Sequence, residues 1–237
     1  MVTGAATGIG RATALALGRA GLRVVVNHLE HPEHADAVVA SIRAAGSDAI
    51  AVQADVSSRD EHRALVAAAR EAFGRWDVLV ANAAWAPTRA LVSFEEADLD
   101  RVWAVNVKAL VWGMQLAREW METGGRIVGI SSSTTALTLP GYAVYDASKA
   151  ATEQLIRIYA HEIGDREVTV NAVAPGATAT ESYAAGRGKE LVRRFSVMSA
   201  FGRLGTVDEI ADVVVFLASD AARWITGQVV RVNGGTV

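Results

Sequence analysis

Short apolar runs alternate along the chain with longer stretches in which apolar residues recur at helical spacing. The runs of strand length are Leu22 to Asn27, Ala49 to Ala54, Val78 to Ala81, Arg126 to Ser131, Val168 to Val173 and Val229 to Val232. They are nearly continuous rather than alternating, as strands covered on both faces are. Helical stretches separate most of them, which demands parallel strands joined by right-handed crossovers. The pattern predicts an α/β fold: one doubly wound parallel sheet of about seven strands with helices on both faces. No internal repeat, low-complexity tract or linker interrupts it, so residues 1–237 read as a single domain. The start is anomalous. Only Met1 and Val2 precede Thr3, whereas a central strand needs about five residues. The first strand is therefore either clipped or begun upstream of residue 1.

Tyr145 and Lys149 are four apart in a helical stretch, and Ser132 lies thirteen positions before the tyrosine at the end of an apolar run. Residues so spaced project from one side of a helix, which sets an ammonium beside a phenol. A phenol titrates near pH 10, and a neighbouring cation lowers that value towards neutrality, where the group can exchange protons. Ser132 falls at the carboxyl end of its strand, where open α/β sheets bind ligands. The same residues also fit a plain amphipathic helix with a surface lysine.

Near the amino terminus, Thr3-Gly4-Ala5-Ala6-Thr7-Gly8-Ile9-Gly10 leads into the helical pattern Arg11 to Ala20, closed by Gly21. Glycines allow a backbone to approach a pyrophosphate, and a helix start offers unpaired N–H groups and the positive end of a dipole. The spacing differs from glycines at one, three and six, and an ordinary tight βα connection is the bland alternative.

In order and spacing these motifs resemble the short-chain dehydrogenase/reductase family in its single-domain form, over nearly the whole chain. The resemblance also covers Asp55-Val56, Asn82-Ala83-Ala84, Asn106, Pro175-Gly176 and Thr180. It implies a Rossmann-type fold and a reaction that interconverts a carbonyl and a secondary alcohol by hydride transfer. By similarity, Tyr145 is the general acid and base, Ser132 hydrogen-bonds the reacting oxygen, and Lys149 tunes the tyrosine and holds the nicotinamide ribose. Asn106 keeps a water in line with Lys149, or mends a helix kink, or does both. Ser131, Ser133 and Ser148 are expected to be structural.

The resemblance further implies that Gly4, Gly8 and Gly10 line a pyrophosphate, with Thr3, Thr7, Ile9 and Arg11 as neighbouring cofactor contacts. Asp55 and Val56 would meet the adenine, Asn82 and Ala83 the turn beneath the adenosine, and Pro175, Gly176, Thr178 and Thr180 the nicotinamide side. Ala84 stands where the family commonly has glycine. At the end of the second strand an acid would favour NAD by binding both ribose hydroxyls and repelling a 2′-phosphate. The matching position is His28, so NADP(H) is favoured over NAD(H).

Composition removes other classes. A chain of 237 residues that is 51% hydrophobic can bury one sizeable core. A net charge of −3 and a pI near 6.0 give no reason to expect nucleic acid. There is no cysteine, so no disulfide and no thiol nucleophile. No leader pattern and no apolar run of about eighteen residues occurs, which predicts a cytoplasmic protein with no membrane partner. His28, His31 and His34 lack supporting ligands, and no metal is expected.

For substrate, the segment from about 181 to 203 is expected to cover the site, with Tyr183, Phe195, Met198 and Phe201 as an apolar lid or as helix packing. Arg187, Lys189, Arg193 and Arg194 would draw an anionic or carrier-bound substrate, or simply face solvent. Family members that reduce 3-oxoacyl thioesters on acyl carrier protein resemble this chain, but of the basic patch they carry, only Arg166 is present beside Met121-Glu122-Thr123-Gly124. The partner is thus a small carbonyl or alcohol, with a thioester-bound one as a named case. A silent cofactor-binding regulatory protein and an epimerase or dehydratase of the extended relatives are the alternatives; intact Asn106, Ser132, Tyr145 and Lys149 weigh against the first and length against the second. The helix expected from about Glu95 to Met121, with Trp103, Val107, Leu110, Val111 and Met114, and the terminal 227–237 segment are expected to build a homotetramer.

Overall fold

The computed structural model describes residues 1–181 and 189–237. Among the described residues six strands form: β1 (Val24–His28), β2 (Ala49–Gln53), β3 (Val78–Ala81), β4 (Arg126–Ile130), β5 (Thr169–Pro175) and β6 (Val229–Val232). Every pairing is parallel, with β1 against β2 and then β3, β4, β5 and β6 in order. Val2 joins the two groups, bridging Val26 on one side and Val80 on the other. At the centre of the sheet the pairing is thus carried by Val2 as a bridging residue. Its backbone is still tied: Val2 N–H donates to Val25 at 3.0 Å and Thr3 N–H to Val80 at 3.0 Å. The chain winds outward from this point in both directions, which makes the crevice above it the topological switch point where such sheets bind ligands.

Alternate residues of one strand serve opposite faces. Leu79 and Ile127 join the core under α3 (Arg59–Phe73), α5 (Ala109–Trp120) and α6 (Ala143–Glu162), with Leu65, Leu110, Met114 and Ile156. Val80 and Val128 join the opposite core, where α1 (Gly8–Arg19), α2 (Pro32–Ala44) and the helix Val207–Leu217 bring Leu17, Ile42, Ile210 and Val214. Both faces of the sheet are covered, as the continuous apolar runs required.

Several boundaries differ from the sequence expectation, three of them for a visible reason. Leu22 is outside β1 because its N–H closes the end of α1 on the Leu17 carbonyl at 3.1 Å. β5 runs on to Pro175, which needs no N–H there because Gly176 N–H makes the next bond, to Val232 at 2.9 Å. The expected long central helix is broken into α4 (Glu96–Trp103) and α5 by a π-helical turn, Ala104–Lys108. Such single turns often mark functional sites, and Asn106 lies inside this one. No helix of the described residues is long and apolar enough to cross a membrane.

Candidate active site

Above the switch point lie two contiguous clefts of about 500 and 350 Å³, which share Ile9, Asn82 and Ala84 in their walls. The larger is lined by Ser132, Tyr145 and Lys149 together with Gly8, Pro175, Gly176, Thr178 and Thr180. The smaller is lined by Gly4, Thr7, Gly10, Asp55, Val56 and Ala83. Residues scattered from position 4 to position 180 therefore line these two clefts.

Lys149 is buried on α6 at 3% exposure, and its Nζ donates to the Ile130 carbonyl at 2.6 Å. Burial pushes its pKa from 10.5 down to about 8, because the charged form loses water. The ammonium stands 5.8 Å from the centre of the Tyr145 ring. Ser132 Oγ lies 2.7 Å from Thr134 Oγ1 and accepts the Thr134 N–H at 3.2 Å.

Asn106 sits in the π turn and bonds there as a residue that mends a kink would. Its Nδ2 donates to the Trp85 carbonyl at 3.0 Å and to Ser148 Oγ at 2.9 Å, and its Oδ1 accepts Trp85 N–H at 2.8 Å. Both amide hydrogens are committed, so the side chain ties α6 and the Trp85 loop to the π turn. Its residue nevertheless lines an internal cavity of about 20 Å³ with Lys149, Thr152 and His62. His62 is buried with no hydrogen-bond partner on either ring nitrogen. Desolvation by burial lowers its pKa, opposed by the Val56 backbone. The expected structural serines are so employed: Ser131 donates to Glu153 at 2.8 Å, Ser133 to the Ala174 carbonyl at 2.9 Å and Ser148 to the Tyr145 carbonyl at 2.6 Å.

The glycine turn is built for close approach. Gly4 and Gly8 have φ of 60° and 54°, in the left-handed region, which costs glycine little. A Cβ on Gly10 would sit 2.2 Å from the Gly4 carbonyl oxygen and 2.5 Å from Asn82 Nδ2, so no larger residue fits without moving the backbone. Asn82 fixes the turn by donating to the Thr3 and Gly4 carbonyls at 2.9 and 3.0 Å. Asn27, which the sequence reading passed over, completes it: its Oδ1 accepts Gly4 N–H at 3.1 Å and its Nδ2 donates to Ala54 at 3.0 Å. An amide side chain within the apolar run Val24-Val25-Val26 was the available signal.

Three expected cofactor contacts fall elsewhere. Thr3 is buried, and its Oγ1 accepts the N–H groups of Asn82 and Ala83 at 3.0 Å, an internal duty. Arg11 pairs with Glu181 at 2.6 Å, so its charge has a partner on the protein. His28 is buried at 5% exposure and absent from both clefts, whereas Asn27 and Leu29 on either side of it line the smaller one. Strand alternation turns the histidine to the other face. His31 and His34 sit on the surface with Glu33, apart from His28. Of the expected covering segment, Tyr183 and Arg187 lie outside the described residues. Lys189 begins the helix Lys189–Met198, and Phe195 of that helix lines the larger cleft.

A family model described as enoyl-(acyl carrier protein) reductase matches residues 4–237. The chain belongs to the short-chain dehydrogenase/reductase family. An oxidoreductase of Methylorubrum extorquens is 44% identical over 237 residues, covering 99% of this chain and 96% of that one. Versicolorin reductase 1 of Aspergillus parasiticus is 38% identical over 248 residues, covering 99% and 94%. Among solved structures, the angucycline C-6 ketoreductase LanV with bound NADP superposes with a TM-score of 0.94 at 38% identity, covering 99% of this chain and 93% of that one.

As a short-chain dehydrogenase/reductase the chain is an oxidoreductase, and its clefts fit the family's dinucleotide. The α1 start carries no side-chain cap and no acidic residue in its first turn, an arrangement that welcomes a phosphate. The combined clefts fall in the size range of cofactor sites, about 300–1,000 Å³.

Proposed function

We propose that the protein reduces a free small-molecule ketone to the secondary alcohol, using NADP(H) in preference to NAD(H). The observation that carries this reading is the single cleft that unites Ser132, Tyr145 and Lys149 with the uncapped start of α1 at Gly8 and Ile9. Gly4, Gly8 and Gly10 would hold the pyrophosphate, Asp55 and Val56 the adenosine end, and Pro175, Gly176, Thr178 and Thr180 the nicotinamide end. The bound nicotinamide supplies a hydride. Tyr145 gives its proton to the ketone oxygen as negative charge develops there, Ser132 hydrogen-bonds that oxygen, and the Lys149 ammonium favours the phenolate left behind. The 20 Å³ cavity behind Lys149 has room for one water, through which the pair regains a proton.

Preference for NADP(H) rests on Asn27 and Leu29, which line the adenosine cleft at the strand end and carry no charge to repel a 2′-phosphate. The related ketoreductase LanV is described with NADP and with rabelomycin. A free ketone is favoured over a thioester on acyl carrier protein because Arg166 is consumed: its guanidinium donates to the Arg118 carbonyl at 2.5 Å and the Met121 carbonyl at 2.6 Å, at the end of α5. Leu137, Tyr142 and Phe195 give the larger cleft an apolar wall suited to a bulky ketone. Leu99 and Trp103 of α4, 36% and 39% exposed, support assembly into a homotetramer through this helix.

Titration with NADPH and NADH tests the reading. NADPH is expected to bind at least about tenfold more tightly, a difference of about 1.4 kcal/mol. Equal or tighter binding of NADH would overturn the preference, and failure of both to bind would overturn the reductase reading.

A further inference from the structure

Ser132 is not isolated. Its Oγ is 2.7 Å from Thr134 Oγ1, and Thr134 Oγ1 in turn donates to Asp146 Oδ1 at 2.5 Å. The three groups form a chain from the reacting-oxygen position to a half-buried carboxyl on α6, one residue past Tyr145. Each hydroxyl owns a single hydrogen, and an ionised carboxylate can only accept. While Asp146 is ionised, the Thr134 hydrogen is committed to it. The short contact between the two hydroxyls then requires Ser132 to donate to Thr134, and Ser132 shows the cleft only a lone pair. Protonation of Asp146 allows the chain to reverse: Asp146 can then donate to Thr134 and Thr134 to Ser132, which leaves the Ser132 hydrogen for the cleft.

We propose that Asp146, acting through Thr134, sets whether the Ser132 hydroxyl gives its hydrogen to the substrate oxygen or keeps it within the protein. The proposal rests on the ketone reductase reading above and adds two positioning residues to it. A ketone oxygen gaining negative charge needs donors, so the reversed chain is the productive one for reduction. The carboxyl is placed to make the change, since burial raises its pKa above the ordinary aspartate value, opposed by the Thr134 bond. The titratable neighbours along its own element are Tyr142, just before the first residue of α6, and Tyr145 and Lys149 within it. From the opposing 3₁₀ turn, Ser133–Ala136, comes Thr134, and that turn has no charged residue. Glu153, one turn beyond Lys149, is engaged by Ser131, Thr135 and Arg157.

The test is the pH dependence of kcat/KM for ketone reduction by the wild type and by Thr134→Val, Thr134→Ser and Asp146→Ala. In the wild type kcat/KM rises about fivefold to tenfold as Asp146 protonates on the acid side, the factor one net hydrogen bond is worth. Thr134→Val and Asp146→Ala are both expected to abolish that rise and to hold the high value up to neutrality, because neither obliges Ser132 to donate: valine cannot accept its hydrogen, and without the carboxylate the Thr134 hydroxyl can itself donate to Ser132. Thr134→Ser keeps the hydroxyl and is expected to restore the wild-type profile. A merely structural role predicts instead that the two disruptive variants lose activity equally at every pH, and that result overturns the proposal. An acid-side rise that persists in Thr134→Val overturns it as well. A wild type that binds nucleotide but reduces no ketone overturns the reductase reading and the proposal with it, so the two failures are told apart by the wild type alone.

Discussion

Tyr145→Phe is expected to lower kcat for ketone reduction by about 10²- to 10⁴-fold, the usual contribution of a positioned general acid. The substitution removes one oxygen and keeps the ring, whose edge contact with Tyr142 at 6.4 Å and place near the Lys149 ammonium do not depend on the hydroxyl. NADPH affinity should change little, since the clefts' glycine turn and Asn82 clamp are untouched. Steady-state NADPH oxidation and a parallel nucleotide titration separate the two quantities. A fall in affinity that matched the fall in kcat would mean that Tyr145 serves binding rather than proton transfer.

Lys149→Met should produce opposite effects on activity and stability. Activity is expected to fall by about 10²-fold or more, because the cation that favours the phenolate is gone. Stability of the nucleotide-free protein at pH 7 should rise. Folding lowers the Lys149 pKa from 10.5 to about 8, so the unfolded chain binds the proton more strongly. The penalty is full below pH 8, shrinks as pH climbs, and vanishes above 10.5. At neutral pH it is on the order of 3 kcal/mol. Losing the Lys149 bond to the Ile130 carbonyl offsets about 1 kcal/mol of this. A net gain of about 1–2 kcal/mol corresponds to a Tm higher by about 2–8 °C for a domain of this size. Thermal melts at pH 7 and pH 10 are the check: the variant's advantage should fade at the higher pH. A lower Tm at pH 7 would show that the buried ammonium is not the cost assigned to it here. The site then holds a charge at the expense of stability, as sites that must tune a proton do.

Local spacing carried much of the site in the sequence. Tyr145, Lys149 and the glycines from Gly4 to Gly10 belong to single elements, so a four-residue helical step and a glycine turn locate them without the fold. What was illegible depended on pairings between elements. His28 and Asn27 are neighbours in a strand covered on both faces, and an apolar run with no polar side gives no way to tell which of them turns to the cleft. Arg11 has an exposed ion pair with Glu181, far along the chain, which no local pattern announces. The Asn106 amide could be assigned to a kink or a water by pattern alone, and only the π turn and the Trp85 loop decide its bonds. Thr134 and Asp146 are twelve residues apart across a 3₁₀ turn that no periodicity announces. That Val2 bridges Val26 and Val80 was likewise a pairing between elements.

The most direct test of the central claim is transfer of deuterium from NADPH labelled at nicotinamide C4 to a bulky ketone, followed by mass spectrometry of the alcohol. The account predicts a single deuterium on the carbinol carbon with the wild type and a trace at most with Tyr145→Phe. Tight binding of NADPH by the wild type with no label delivered to any ketone or thioester of a broad panel would contradict it.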